Sequence, residues 1–183
     1  MLELAIVSWP CDARHLQFVV PAEQADAHAS NRRSERATVT LEGPFGDFLL
    51  AEESPAPAVF VAVGDGIAPI KSLIEHAVAI DHAVTLYLLR IDDLAADSPI
   101  GNLCRSWHDA LDNFNVAHLP ATAGAADALS HLLQHHAHLA GCELYVSAPE
   151  AWLEAFQDAL AATTGLTPAG VHLDAIDRPT APA

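Results

Sequence analysis

The chain has 183 residues, 51% of them apolar, and carries 24 acidic against 8 basic side chains for a formal net charge of −16. That composition supplies a packed core for one domain and part of another, and the charge argues against nucleic acid or an anionic membrane surface as partner. No apolar run approaches the roughly 18 residues of a membrane span, and the start lacks a basic n-region, so a cytoplasmic protein is expected.

Residues 1–50 read as β structure. Leu2–Val7 alternates in part, Leu16–Val20 is a second strand stopped by Pro21, and Thr38–Leu41 a third. Ala22–Ala37 is polar and carries Arg32, Arg33 and Arg36, which reads as a loop. These strands are too few to close a barrel alone, so the segment is a partial antiparallel β unit. Phe45 and Phe48 are then either its core or an apolar surface for a partner, and Glu52–Pro57 reads as a linker.

From residue 58 to 178 the pattern becomes strand–helix alternation, with a tail over 179–183. Expected strands are Val59–Val63, Val84–Leu89, Val116–Leu119, Leu144–Ser147 and Val171–Leu173. Apolar residues at helical spacing from Ile70 to Val78 and from Ile100 to Leu111, then Ala125–Leu139 and Pro149–Thr163, fill the gaps. Pro99 suits a helix's first turn. The expected fold class is α/β, a five-stranded parallel doubly wound sheet preceded by the partial β segment. Ligands of such sheets sit beyond the C-terminal ends of the strands.

The first strand there runs into Gly64-Asp65-Gly66-Ile67-Ala68-Pro69. Glycines let a backbone approach an anion, and the N–H groups opening the next helix point at it. The other reading is an ordinary glycine turn, with Asp65 capping the helix and leaving no vacancy.

In order, these segments resemble the ferredoxin reductase-like family, flavoproteins with a flavin barrel followed by a nicotinamide-binding domain. Gly43-Pro44-Phe45-Gly46-Asp47-Phe48 resembles the segment closing the barrel, and Val59 to His76 the pyrophosphate strand–turn–helix. Leu86–Arg90 resembles the second strand, Leu144–Pro149 the strand ending beside the nicotinamide, and His172–Ile176 the closing strand. The resemblance implies NADH or NADPH along Gly64, Asp65, Gly66, Ile67, Ala68 and Pro69, with Arg90 and Ser147-Ala148-Pro149 completing the site. It implies a role for the Ser147 hydroxyl toward the carboxamide, set against that of a plain turn residue. Arg90 can equally pair with Asp92 or Asp93, and Lys71 can meet an anion or solvent. The absence of a basic pair for a 2′-phosphate leans toward NADH.

The chain also departs from that pattern. The family's Arg-x-Tyr-Ser and Gly-x-x-Ser flavin segments are not found, so FAD is expected not to be held by this chain alone. Asp65 stands where the family has a hydroxyl residue, Ser147-Ala148 replace Cys-Gly, and Ile176 stands for an aromatic. Two functions follow. One is an NAD(P)H-binding domain in electron transfer to a flavin held elsewhere; the other is a non-catalytic homologue serving in binding or assembly. Either takes a second copy or a reductase or oxygenase partner through the β segment. Enzyme status stays open between them.

His131, His135 and His138 fall on one helical face, but two turns separate the first from the last, about 10 Å along the axis, so no shared metal is expected. His136 is expected with Leu129, Leu132, Leu133 and Leu139 toward the core. Cys11, Cys104 and Cys142 have neither zinc nor iron–sulfur spacing and read as reduced thiols.

Overall fold

Five strands form a single all-parallel sheet in the computed structural model, which describes residues 4–8, 15–18, 40, 42–43, 45–82, 85–135, 139–163 and 166–176. The strands are β1 (Ala58–Val63), β2 (Leu86–Ile91), β3 (Phe114–Leu119), β4 (Glu143–Ala148) and β5 (Gly170–Ala175). Their spatial order is β3-β2-β1-β4-β5, so the chain winds outward one way from β1, then returns to wind the other way. The helices between them are α1 (Ile67–Ala79), α2 (Pro99–Ala110), α3 (Ala125–His135) and α4 (Glu150–Ala162).

Alternate residues of each strand point to opposite faces, and each face has its own core. Phe60, Leu86, Leu88 and Tyr145 pack with Ile70 and Ile74 of α1 and Cys104 of α2. Val59, Val61, Leu89, Leu144 and Val146 pack with Leu129 and Leu132 of α3 and Leu153 and Phe156 of α4. Burial on both faces explains why β1, β2 and β4 read as near-continuous apolar runs. The doubly wound α/β class expected from the sequence is the one found.

Element ends differ where a side chain finds a partner the sequence does not reveal. β2 runs on to Ile91 because Arg90 is neutralised within the sheet by Asp92. β3 starts at Phe114, two residues early, because that ring is buried against Trp107 at 5.6 Å. α1 begins at Ile67, ahead of Pro69, since a first-turn proline lacks only an N–H that the helix leaves unpaired. Pro99 opens α2 as expected, after Ser98, whose Oγ accepts from the Gly101 N–H at 3.1 Å. Leu133, expected in the core, is exposed, because the sheet-facing stripe of α3 is Ala125, Ala128, Leu129 and Leu132. His136 and His138 lie outside the described residues.

Before Ala58, Ile6 and Phe18 form one antiparallel bridge. That bridge is tied to α1: Lys71 Nζ donates to the Val7 carbonyl at 3.1 Å and Ser72 Oγ to that of Ser8 at 2.9 Å. Of the expected third strand only Thr40 is described. Phe48 packs edge-on to Tyr145, joining the α/β core, while Phe45 is 77% exposed. The stretch expected as a linker is fixed to the sheet. The Ala51 N–H donates to Tyr145 Oη at 2.9 Å, Ser54 Oγ donates to Glu143 Oε1 at 2.7 Å, and the Glu143 N–H to the Pro57 carbonyl at 2.8 Å.

Candidate dinucleotide site at the carboxyl edge of the sheet

The β1–α1 turn is a single 3-10 turn, Gly64–Gly66. Gly64 sits at φ +56°, in the left-handed region that costs an L side chain about 1 kcal/mol, and nothing crowds the place of its missing Cβ. Gly66 is needed for a different reason. Its own φ is ordinary at −58°, but a Cβ there would run into the carbonyl oxygen of Ser147. The second glycine therefore lets the turn lie directly against the end of β4. Gly64–Pro69 and Ser147–Pro149, far apart in sequence, become neighbours through that contact.

Asp65 does not cap α1. The N-cap position belongs to Gly66, and no side chain accepts from the helix's first N–H groups. Asp65 is exposed within the 3-10 turn. The Ile67 N–H is taken by the Gly64 and Asp65 carbonyls of the 3-10 turn, so what the helix start offers another acceptor is its positive dipole end, without a side-chain cap over it. Ile67 and Pro69 are half-buried and Ala68 is buried, packing the first turn of α1 against the sheet.

Ser147 is fully buried, and its Oγ donates to Asp174 Oδ2 at 2.9 Å across the Ser147–Asp174 register pair of β4 and β5. Ala148 is buried behind it, and Pro149 is the N-cap residue of α4. Arg90 is 5% exposed and forks onto Asp92, Nη2 donating to Oδ1 and Oδ2 at 2.9 Å and Nε to Oδ2 at 3.1 Å. Of the two pairings open to Arg90 inside the protein, Asp92 is the one made. Asp93 instead accepts from the Ala121 N–H at 3.0 Å. Lys71 is engaged within the protein: it pairs with Glu75 at 2.7 Å besides its bond to the Val7 carbonyl.

Sequence reasoning missed two carboxylates. In the sequence Asp174 is only part of a closing strand, and Glu143 carries no signal of its own. Each sits beside its partner through strand register, which one chain's spacing does not display. Burial works to raise the Glu143 carboxyl, but hydrogen bonds from His172 at 2.9 Å and from Ser54 outweigh it and hold the group below its ordinary value.

Elsewhere, His131 and His135 stack at 4.2 Å, with His131 Nε2 3.0 Å from Tyr87 Oη. Burial, then the neighbouring His135, pushes His131 below the usual imidazole range. Among the described residues no three His, Cys, Asp or Glu side chains gather as a metal site. Cys104 and Cys142 are free and buried, and burial raises the Cys142 thiol to about 11. No described helix is long and apolar enough to cross a membrane.

No protein-family model matches the chain. It is 28% identical over 175 residues to the ferredoxin–NAD(P)(+) reductase component of the naphthalene 1,2-dioxygenase/salicylate 5-hydroxylase systems of Ralstonia sp., covering 91% of this chain and 53% of that one. It is 31% identical over 158 residues to phenoxybenzoate dioxygenase subunit beta of Ectopseudomonas oleovorans, covering 80% and 42%. Among solved structures, the Amycolatopsis cytochrome P450 reductase GcoB superposes with a TM-score of 0.59 at 20% identity, over 73% of this chain and 42% of that one. The chain spans about half the length, or less, of these relatives.

Proposed function

The chain is ferredoxin reductase-like in sequence and fold, and we propose that it binds reduced nicotinamide dinucleotide at the carboxyl edge of its sheet, in electron transfer to a flavin held elsewhere. The observation that carries this is the uncapped start of α1 packed, through Gly66, onto the end of β4. In this reading the positive end of α1 holds the diphosphate, and Gly64 keeps the approach to it free of a side chain. Ser147, fixed by Asp174, and Pro149 border the nicotinamide, and Ala148 packs beneath it. When bound, the dinucleotide supplies a hydride; the residues position it and need not move a proton.

A second reading has its own observation. Arg90 and Ser147, both expected at the dinucleotide, are engaged by Asp92 and Asp174, and Asp65 adds negative charge at the turn. These features favour a non-catalytic relative that keeps the fold for assembly with a reductase or oxygenase partner through the segment before Ala58.

Calorimetric titration with NADH and NADPH separates the two. The first reading expects saturable binding with a Kd below about 1 mM, NADH the tighter. Absence of heat up to several times that concentration favours the assembly module.

A further inference from the structure

We propose that the cleft between α2 and the β2–β3 edge of the sheet binds a small organic carboxylate with an apolar body. The cleft lies over the α2 face of β2 and β3, away from the β1–α1 turn, and shares with the expected dinucleotide residues only Arg90, which Asp92 engages. It has a volume of about 250 Å³ and opens to solvent. An enclosed apolar cavity of about 150 Å³ takes a benzene ring, so a single ring bearing one acidic group suits its size.

The charge distribution points to an anion. The described residues of this strongly acidic chain hold three Lys or Arg side chains, Lys71, Arg90 and Arg105, and two of those three line this one cleft. His108 and His118 line it as well. His108 Nδ1 lies 3.1 Å from the Phe114 carbonyl and His118 Nε2 2.8 Å from that of Asp92. A carbonyl only accepts, so each of those nitrogens donates, and His118 Nε2 also lies 3.3 Å from Asp92 Oδ1; in a neutral ring the second nitrogen is then an acceptor, so the donors offered to an anion are those of the arginines. Arg105 uses Nη1 on Asn102 and Nη2 on the Ala96 carbonyl, which fixes its guanidinium at the rim while leaving further N–H groups. Arg90 is already balanced by Asp92, so Arg105 supplies the uncompensated charge.

The walls decide between a carboxylate and a bare phosphate. Leu94, Cys104 and Val116 give the lining an apolar component, Cys104 buried and Leu94 at an exposed position, beside the exposed Arg105 and the buried Arg90. A highly hydrated phosphate would gain nothing from such walls, whereas an apolar ring buries against them and leaves its carboxylate for the planar guanidinium.

The test is calorimetric titration of the full chain with benzoate, benzyl alcohol and inorganic phosphate. Benzoate is expected to saturate at one site with a Kd below about 1 mM, and the other two to bind at least about tenfold more weakly. Arg105→Gln and, separately, Leu94→Ser, both at exposed positions, are expected to weaken benzoate about fivefold or more while circular dichroism and thermal midpoint stay unchanged. The proposal is overturned by no benzoate binding up to about 10 mM, by benzyl alcohol or phosphate binding as well as benzoate, or by both folded variants retaining wild-type affinity.

Discussion

Gly64 and Gly66 are two residues apart and constrained to glycine for unrelated reasons, which makes them separable by one substitution each. At Gly64 the cost is backbone strain alone, so Gly64→Ala should lose about 1 kcal/mol of stability. At Gly66 the added methyl meets a main-chain carbonyl that cannot rotate away, and Gly66→Ala should lose about 2–4 kcal/mol. Chemical denaturation of both variants checks the ranking; equal losses would mean that the turn does not rest on β4. Asp65 acts through charge rather than packing. Like charges about 4 Å apart at an effective dielectric near 20 repel by roughly 4 kcal/mol, and exposure to water and salt reduces this severalfold. Asp65→Thr should therefore tighten NADH binding about ten- to thirtyfold, with the gap narrowing in added salt. Unchanged affinity would show that the carboxylate turns away from the diphosphate.

At the scale of elements, β4 and β5 carry the polar contacts that fasten neighbouring segments. Glu143 accepts from Ser54 and pairs with His172, whose ring stacks on Tyr145 at 4.5 Å, and Tyr145 in turn holds Ala51. Glu143 is held below its ordinary value in the fold, so the unfolded chain binds more protons, and its contribution, present at neutral pH, is lost as pH falls through the folded value. His131 acts in the same direction. Its imidazole is held below its ordinary value in the fold, so the unfolded chain binds more protons and stability falls as pH drops below the unfolded imidazole value, near 6.5. Stability should therefore fall from pH 7 toward acid, and His131→Gln should flatten the part of that slope between about pH 7 and 5, read from denaturation midpoints. A slope identical to wild type would remove His131 from the account.

Elements of this kind are legible from sequence when their signal is apolar. Five strands and four helices could be placed from hydrophobic runs and from Pro99 and Gly64, because burial on both faces of the sheet writes itself into composition. The strand expected from the apolar run stops at Leu89, and the resemblance makes Arg90 its terminal residue, yet β2 continues through Arg90 to Ile91. Only its fork onto Asp92 makes the buried position tolerable, and that pairing is a matter of geometry. Ser147 and Asp174 meet for the same reason: they are opposite each other in register, a relation that appears only when β4 and β5 are laid side by side.

For the molecule as a whole, the doubly wound order brings the starts of α1 and α4 to one edge of the sheet, where β1 and β4 are adjacent. A chain with a net charge of −16 has little long-range attraction to offer an anionic dinucleotide, so holding one there rests on local dipoles and close backbone approach. The most direct measurement is the set of backbone amide chemical shifts on titration with NADH. The account predicts the largest changes at Gly64, Gly66, Ile67 and Ala68, with a second group at Ser147 and Ala148, saturating together. Saturable shifts confined to other parts of the sheet, or none at several millimolar NADH, would contradict it.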